Sequence, residues 1–305
     1  MEEFNVEGAI NMRQIAIQLC FDNQAEEAVK YYTEVFSQSE ITREIHYPMA
    51  KGESVAYDFT IENQAFAAFN GDSDFKMNPS FSLMISLDTA EEVDTLYAKL
   101  AKGGKDLMPL DAYPFSDRYA WVEDQFGLSW QIMLAPDVPK NHKIRVSLLF
   151  AGQYCGQAEQ ALKDYATIFQ MAAPGHINYY QKGEAQDGRA KVNYAELNVG
   201  DQQLVFMDHG FGSDEEFSEA ISFLIVAGAQ SEVDYYWDKL SAHEESEAMG
   251  WLKDSHGISW QVVPQAYLQI METANEEQKK RVLDALFKMK KMDVARLENA
   301  KFGIG

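Results

Sequence analysis

WVEDQFGLSWQIM occupies residues 121–133, and WLKDSHGISWQVV occupies residues 251–263. The two segments share Trp, Asp, Gly, Ser, Trp and Gln at the same spacing, which chance does not produce. A long internal match of this kind is the signature of a repeated structural unit. The sequence therefore predicts two copies of one unit, and each copy closes on a Gly-(Leu/Ile)-Ser-Trp-Gln strand.

The repeat extends backwards from these segments over most of the chain. Three further pairs of segments match, at 80–100 and 220–240, at 55–71 and 192–210, and at 15–36 and 144–169. The first pair is an apolar strand run that leads into an amphipathic helix, and the second reads as two short strands about a turn. The third pair reads as strand, polar loop and helix. Each copy is thus itself doubled in secondary structure.

Helices are predicted where apolar residues recur with helical spacing. One stripe contains Ala28, Val29, Tyr32 and Phe36, and its counterpart contains Ala161, Leu162, Tyr165 and Phe169. We interpret these aromatic residues as core packing.

Short polar, proline-containing joints set the domain boundaries. The prediction is a first domain at 12–136, a second at 141–266 and a helical tail at 267–305. Two apolar stripes predict two tail helices: Tyr267, Ile270 and Met271 form the first, and Val282, Leu286, Met289 and Met292 form the second.

Composition limits the partners. The net charge is −22, from 48 acidic and 26 basic residues, which disfavours binding to nucleic acid and to anionic membranes. No window approaches the ~20 apolar residues of a membrane span, and residues 1–12 lack the pattern of a signal peptide. We expect a cytoplasmic protein. The two cysteines, Cys20 and Cys155, suit buried free thiols better than a disulfide or a zinc site.

A sheet built from doubled strand-helix-strands units can curl into a cup, whose concave face is a natural binding site. Alternation along the closing strands places Gln131 with Ser129 and Met133 on one face, and Gln261 with Ser259 and Val263. A glutamine on such an apolar face needs a partner, which is either a neighbouring polar group or a ligand.

An earlier strand of each copy carries a carboxylate, Asp58 in the first and Glu196 in the second. Burying a carboxylate is costly unless it is paired or coordinates a metal. A metal, a cationic ligand group, a hydrogen-bond network and a solvated strand face all remain open from the sequence alone.

Several catalytic signatures are absent. The sequence contains no His-x-Glu-x-x-His, Gly-rich phosphate loop, Gly-x-Ser-x-Gly elbow or Cys-x-x-Cys pair. It therefore offers no nucleophile triad, no nucleotide site and no zinc framework.

The chain resembles the PhnB-like branch of the vicinal-oxygen-chelate superfamily, which includes glyoxalase I, extradiol dioxygenases and bleomycin-resistance proteins. PhnB-like members are often labelled 3-demethylubiquinone methyltransferase-like. The matching pieces are FDNQAEEAVKYYTEVF, FNGDSDFKMNPSFSLMI, EEVDTLYAKL, DQFGLSWQIM, SEVDYYWDKL and GWLKDSHGISWQVVP, together with the Met-rich tail. The resemblance implies an α+β fold of tandem glyoxalase-like domains, each of paired βαβββ modules forming a cup-shaped eight-stranded sheet, plus the C-terminal helical tail.

The resemblance also implies where a metal would be bound. Metal-using members carry His, Gln or Glu on four strands that face one divalent ion. The first position falls on Gln18 or Ala16 in the first copy and on Ser147 or Arg145 in the second, depending on register. The others fall on Asp58 and Glu196, Ser82 and Ser222, and Gln131 and Gln261. With no histidine and at most one anionic ligand per cup, we do not expect a firm transition-metal site.

The leading hypothesis is metal-free binding of a small molecule in the cups. Its candidate ligand-binding residues are Gln18, Asp58, Ser82, Gln131, Glu196, Ser222 and Gln261. The alternative is a metal-dependent lyase, isomerase or dioxygenase, with a divalent metal on Asp58, Gln131, Glu196 and Gln261. Methyl transfer follows only from the family label and is disfavoured, because no S-adenosylmethionine loop is present. Whether the chain is an enzyme stays open, and so does a homodimer, since cups form within one domain or between swapped modules.

Overall fold

The structure is a computed structural model that describes residues 15–48, 53–71, 74–169, 172–200 and 202–304. The strands of the described residues are β1 (Ala16–Phe21), β2 (Ser39–Pro48), β3 (Glu53–Ile61), β4 (Gln64–Asn70), β5 (Phe81–Leu87), β6 (Lys105–Tyr113), β7 (Ser116–Glu123), β8 (Ser129–Leu134), β9 (Ile144–Phe150), β10 (Ala172–Tyr179), β11 (Val192–Val199), β12 (Gln202–Asp208), β13 (Ile221–Ala227), β14 (Trp251–Lys253) and β15 (Ser259–Pro264). The α-helices are α1 (Ala25–Val35), α2 (Ala90–Leu100), α3 (Ala158–Ile168), α4 (Gln230–Leu240), α5 (Gln265–Thr273), α6 (Glu276–Leu286) and α7 (Val294–Phe302).

The strands form two mixed sheets, and each sheet takes one half from each copy of the repeat. The first sheet has the order β14-β15-β13-β1-β4-β3-β2, and the second has β10-β11-β12-β9-β5-β8-β7-β6. Antiparallel pairing across the copies sets Gln18 opposite Ser222 in the first sheet and Ser82 opposite Ser147 in the second. The predicted bounds 12–136 and 141–266 remain predicted limits of the sequence repeat and are not limits of the sheets. Residues 12 and 305, the outermost predicted bounds, lie outside the described residues.

The predicted α+β architecture of doubled modules is confirmed, with eight strands in one sheet and seven in the other. The difference arises just before β14, where Met249 and Gly250 both have positive φ, 53° and 87°. Two such residues form a two-residue turn, and Ala248 pairs with Trp251 across it. The amide groups of Met249 and Gly250 then donate to the carbonyls of Met289 and Lys290, at 2.8 Å each. In the described residues, the tail therefore lies beside β14, at the position that corresponds to β6 in the eight-stranded sheet.

Helices α1 to α4 pack on one face of each sheet, and one hydrophobic core joins both sheets. Both predicted helical stripes are buried in this core. The Gly-x-Ser-Trp-Gln strands are β8 and β15, and their tryptophans, Trp130 and Trp260, are fully buried beneath the helices. Their neighbours Gln131 and Gln261 point to the opposite, concave face because side chains alternate along a strand.

A buried carboxylate ties the two modules of each copy together. Asp124 accepts hydrogen bonds from the Tyr32 hydroxyl at 2.8 Å and from the Trp130 indole at 2.9 Å. Asp254 accepts the equivalent bonds from Tyr165 and Trp260. Burial raises the pKa of both carboxyl groups, while these donors oppose the shift. The Asp of the repeated motif is therefore a structural residue.

Within residues 265–304, which the structure describes, the tail contains three helices rather than the predicted two. Helix α6 ends at Leu286, and Asp293 caps α7 by accepting from the amide of Arg296 at 2.9 Å. Met289 and Met292 lie in the connection between these helices and are still buried. A loop that packs into the core can also bury apolar residues three positions apart. The spacing of Leu286, Met289 and Met292 therefore could not reveal that α6 ends at Leu286.

The remaining structural expectations have clear outcomes. Cys20 and Cys155 are both buried, as predicted, and no disulfide joins them. In the part of the chain that the structure describes, no helix is long and apolar enough to cross a membrane.

Candidate functional site

Each sheet presents a concave face on the side away from α1 to α4, and the two faces have equivalent positions. We call the concave face of the eight-stranded sheet the arginine face; its central residues are Ser82, Met84, Ser86, Gln131, Met133, Arg145, Ser147, Tyr194 and Glu196. We call that of the seven-stranded sheet the tail-covered face; the equivalent residues are Ser222, Leu224, Val226, Gln261, Val263, Ala16, Gln18, Ala56 and Asp58. These equivalences follow from the strand registers.

The predicted site residues are regrouped by the pairing of the modules. Gln18, Asp58, Ser222 and Gln261 all lie on the tail-covered face, although they come from both copies. Ser82, Gln131 and Glu196 lie on the arginine face. The seven residues therefore do not form one site per copy; they form two sets, each drawn from both copies.

Arg145 lies at the centre of the arginine face and is only 4% exposed. One terminal nitrogen donates to the Tyr194 hydroxyl at 2.9 Å, and the other donates to Ser86 Oγ at 2.8 Å and to Met133 Sδ at 3.0 Å. Its Nε is buried and has no hydrogen-bond partner among the described residues. A guanidinium has five N–H donors, so this charged group is incompletely satisfied.

The contacts of Arg145 are with neutral groups. The Tyr194 hydroxyl accepts from Arg145 and donates to Glu196 Oε1 at 2.6 Å, so one hydroxyl separates the cation from this carboxylate. No ion pair joins Arg145 to an acidic side chain of the described residues. Burial raises the pKa of Tyr194 well above its usual range, which keeps its hydroxyl proton in place.

Gln131 is the centre of a second hydrogen-bonded group on this face. Its Oε1 accepts from the Tyr119 hydroxyl at 2.9 Å, and its Nε2 donates to Ser147 Oγ at 3.3 Å. Burial raises the pKa of Tyr119, so this hydroxyl also stays protonated. The neighbouring Ser82 hydroxyl is 3.1 Å from that of Ser129. Gln131 is thus hydrogen-bonded to neighbouring polar groups, which is one of the two alternatives that the sequence left open.

An aromatic group borders the arginine face at the turn between β6 and β7. The rings of Tyr113 and Phe115 stack at 5.7 Å, and Phe115 meets the ring of Tyr119 edge-on at 4.9 Å. Phe115 is 60% exposed. Tyr119 is the register partner of Met133, which contacts Arg145. An exposed apolar surface therefore lies next to the buried polar centre.

The tail-covered face has a different chemistry. Ile45 and Val263 are buried against the tail residues Tyr267, Ile270 and Leu286 in a separate hydrophobic cluster. On the same face Asp58 accepts two hydrogen bonds from Arg43, with Arg43 Nε at 2.8 Å, so its carboxylate is satisfied by an ion pair. The Ser222 hydroxyl lies 3.5 Å from Gln18 Oε1. Gln261 is half-buried.

Sequence reasoning missed the residues that distinguish the arginine face. Arg145 entered only as a register alternative to Ser147, and Tyr194 and Tyr119 were absent from the candidate set. One signal was available: the apolar strand run IRVSLLF of residues 144–150 contains a single charge, Arg145, where the other copy has Ala16. A lone cation in a buried strand is costly, so it indicates either a partner or a ligand.

The donors present do not fit a divalent metal ion. The four residues of the metal alternative are divided between the faces, with Asp58 and Gln261 on one and Gln131 and Glu196 on the other. On the arginine face the Arg145 charge opposes a cation, and on the tail-covered face Asp58 is already paired. In the described ranges, no three His, Cys, Asp or Glu side chains are grouped to hold a metal ion.

The family description of 3-demethylubiquinone-9 3-methyltransferase matches the chain twice, over residues 13–133 and 142–263. The chain belongs to this family. A PhnB protein from Bacillus cereus, provisionally described as a 3-demethylubiquinone-9 3-methyltransferase, is 39% identical over 40% of this chain and 98% of its own, with a TM-score of 0.38. The predicted membership of the PhnB-like branch is confirmed.

Two further solved structures are similar to the chain. Glyoxalase I from Zea mays is 14% identical over 85% of this chain and 95% of its own, with a TM-score of 0.52, which shows a shared fold. The fosfomycin resistance protein FosX from Listeria monocytogenes is 14% identical over 39% of this chain and 89% of its own, with a TM-score of 0.32. No functionally curated protein matches the chain.

Proposed function

We propose that this protein binds a small molecule on the arginine face, without a metal ion. The observation that carries the proposal is the buried, incompletely satisfied guanidinium of Arg145 within a group of polar side chains. Buried polar groups are normally hydrogen-bonded, and an exception in a native protein often marks a functional position. In the other sheet, alanine and valine occupy the positions equivalent to Arg145, Tyr194 and Ser86. Val263 of that face packs against the tail. We therefore assign the function to one face of the two.

Metal-dependent chemistry is the less favoured alternative, because Arg145 occupies the face where Gln131 and Glu196 would serve as ligands. Methyl transfer is suggested only by the family description, and the residues of the arginine face give it no support. For both reasons we propose binding and assign no reaction.

The test uses a matched pair of glutamines. A set of neutral and anionic molecules of low molecular mass is screened by thermal shift in the presence of EDTA. We expect some to stabilise the wild-type protein, and we expect Gln131→Ala to reduce the stabilisation while Gln261→Ala leaves it intact. Stabilisation that is lost in Gln261→Ala would contradict the assignment to the arginine face.

The same screen tests the metal alternative. Repeating it with Mg²⁺, Mn²⁺, Ni²⁺, Zn²⁺ and Fe²⁺ in place of EDTA should give no additional stabilisation that depends on Asp58 or Glu196. A stoichiometric ion that is retained by the purified protein and lost in Asp58→Ala or Glu196→Ala would overturn the metal-free proposal.

A further inference from the structure

We infer that the molecule bound on the arginine face is a small carboxylate with an apolar body, and that Arg145 is the residue that binds its carboxylate. This inference rests on the proposed function and names the ligand class of the same site. It follows from three features of the face. The buried charge of Arg145 has no ionic partner among the described residues, its N–H donors are partly unpaired or bonded to a weak acceptor, and an apolar surface lies beside it.

The first feature is the charge. The guanidinium of Arg145 carries a positive charge. At 4% exposure it cannot be solvated as it would be in water. A buried charge is retained at a cost unless an opposite charge or several good hydrogen bonds compensate it. The described partners are a tyrosine hydroxyl, a serine hydroxyl and a thioether.

The second feature is that some donors of Arg145 are free or weakly occupied. In the part of the chain that the structure describes, Nε has no hydrogen-bond partner, and one terminal N–H points to Met133 Sδ, a weak acceptor. A carboxylate accepts two parallel bonds from the fork of an arginine, and such charge-assisted bonds are about twice as strong as neutral ones. A carboxylate that displaces the thioether and reaches Nε would therefore complete the donor set.

The third feature is the position of the site relative to the surface. Arg145 is buried, but its contacts Met133 and Tyr194 are only half-buried, so the guanidinium lies one side chain below the surface. The exposed ring of Phe115 and its stacking partner Tyr113 lie beside Met133's register partner, Tyr119. An alkyl or aryl group on the carboxylate would pack against these rings.

The network around Tyr194 selects the same ligand class. Its hydroxyl proton is donated to Glu196, so its oxygen can only accept, and it orients one edge of the guanidinium. Glu196 is an anion close to the site and would repel a second negative charge on the ligand. A single carboxylate is therefore favoured over a dicarboxylate or a phosphate.

The experiment uses matched pairs of probes. Acetate, butyrate, hexanoate, benzoate and phenylacetate are each compared with the corresponding primary amide by calorimetry and ligand-observed NMR. We expect at least one carboxylate to bind, its amide to bind about ten-fold more weakly or worse, and affinity to rise from acetate to the larger probes.

Variants assign the binding to Arg145. Arg145→Met should abolish the preference for carboxylate over amide, and Arg145→Lys should reduce it, since lysine keeps the charge and loses the fork. Arg43→Met, which removes an arginine from the tail-covered face, should leave it unchanged. Melting temperatures and circular dichroism verify that each variant is folded. Tyr194→Phe provides a second variant that should weaken carboxylate binding without removing the charge.

Failure of this inference differs from failure of the proposed function. Amides that bind as well as carboxylates, in a manner sensitive to Gln131→Ala, would leave small-molecule binding intact and overturn the carboxylate assignment. Carboxylate binding that survives in folded Arg145→Met would also overturn it. Absence of binding by every probe, together with a negative thermal-shift screen, would overturn both proposals.

Discussion

The two concave faces of this molecule are built from equivalent strands but have opposite characters. At four equivalent positions the arginine face has Arg145, Tyr194, Ser86 and Met133, and the tail-covered face has Ala16, Ala56, Val226 and Val263. The arginine face has a buried charge beside an exposed aromatic border. The tail-covered face has small apolar residues at these four positions, pairs its carboxylate Asp58 with Arg43, and packs through Val263 against α5 and α6. Duplication has preserved the scaffold in both halves, while the faces have diverged into a candidate binding site and an internal packing surface.

The largest expected effect comes from placing the same charge on both faces. Val263→Glu buries a carboxylate in the cluster between the sheet and the tail, and we expect it to lower the free energy of unfolding by about 4 kcal/mol or to prevent folding. Met133→Glu places the carboxylate beside Arg145, which can pair with it, and should cost less than about 1 kcal/mol. Urea denaturation of both variants measures the difference. Equal destabilisation would show that the two faces do not differ in this way.

A second prediction concerns the turn that distinguishes the seven-stranded sheet. A Cβ at Gly250 would lie 2.8 Å from the Val262 carbonyl and 3.0 Å from Met292 Cε, at a φ of 87°. We expect Gly250→Ala to destabilise the protein by about 3 kcal/mol, from strain and from displacement of the tail.

Gly183 provides the control for this prediction. It has a φ of 83°, and a Cβ added there would have no atom within 4 Å. Gly183→Ala should therefore cost only the strain of the left-handed backbone conformation, about 1 kcal/mol. Thermal denaturation compares the two variants. An equal loss of stability in the two variants would show that the close contacts of Gly250 with Val262 and Met292 add nothing to the cost of the substitution.

A third prediction concerns Arg145 itself. Replacing a buried charge by an apolar side chain of similar length is often neutral or stabilising, when the charge lacks an ionic partner. We therefore expect Arg145→Met to keep the free energy of unfolding within about 1 kcal/mol of wild type, or to raise it, while carboxylate binding is lost. Destabilisation by about 3 kcal/mol or more, measured by urea denaturation, would identify Arg145 as a structural residue.

The smallest effect expected is that of pH on carboxylate binding. Burial raises the pKa of Tyr194 and of Tyr119, so both hydroxyls stay protonated and would be lost as donors only when the pH rises past these raised values. Arg145 stays charged, and a carboxylate probe with a pKa of about 4 stays ionised. Calorimetric affinity should therefore be flat from about pH 6 to about pH 9. A steep change in this range would point to a titrating ligand-binding group outside the described network.

Much of the fold could be predicted from the sequence, because the repeat is carried by buried residues. The tryptophan, aspartate and glycine of the repeated motif are held by the core and by tight turns, so their spacing survives in both copies. Exchange of modules between copies was not predictable from strand patterns, because the same alternation suits either partner. Strand β14 of the seven-stranded sheet begins directly after the Met249–Gly250 turn, and this turn depends on tail contacts far along the chain.

The candidate site was predicted only in part. Alternation along the strands selected Gln131 and Glu196 as candidates for the concave face, and Ser82 entered only through the family resemblance. The strand registers set all three on one face of the eight-stranded sheet. The sequence could not show that Asp58 pairs with Arg43, that the tail packs against one face, or that Arg145 reaches Ser86, Met133 and Tyr194 on three other strands. Those contacts depend on the curvature of the sheets, and a single sequence carries no direct signal for it.

Methionine methyl groups on both faces can show directly whether a ligand binds on the arginine face or on the tail-covered face. Met84 and Met133 lie on the arginine face, while Met271 and Met292 are buried between the tail and the other sheet. The ¹³C-methyl methionine spectrum is assigned with Met→Leu variants and recorded during titration with each of the five carboxylates. We predict shifts of the Met84 and Met133 signals, with Met271 and Met292 unchanged. Shifts confined to Met271 and Met292 would contradict this account.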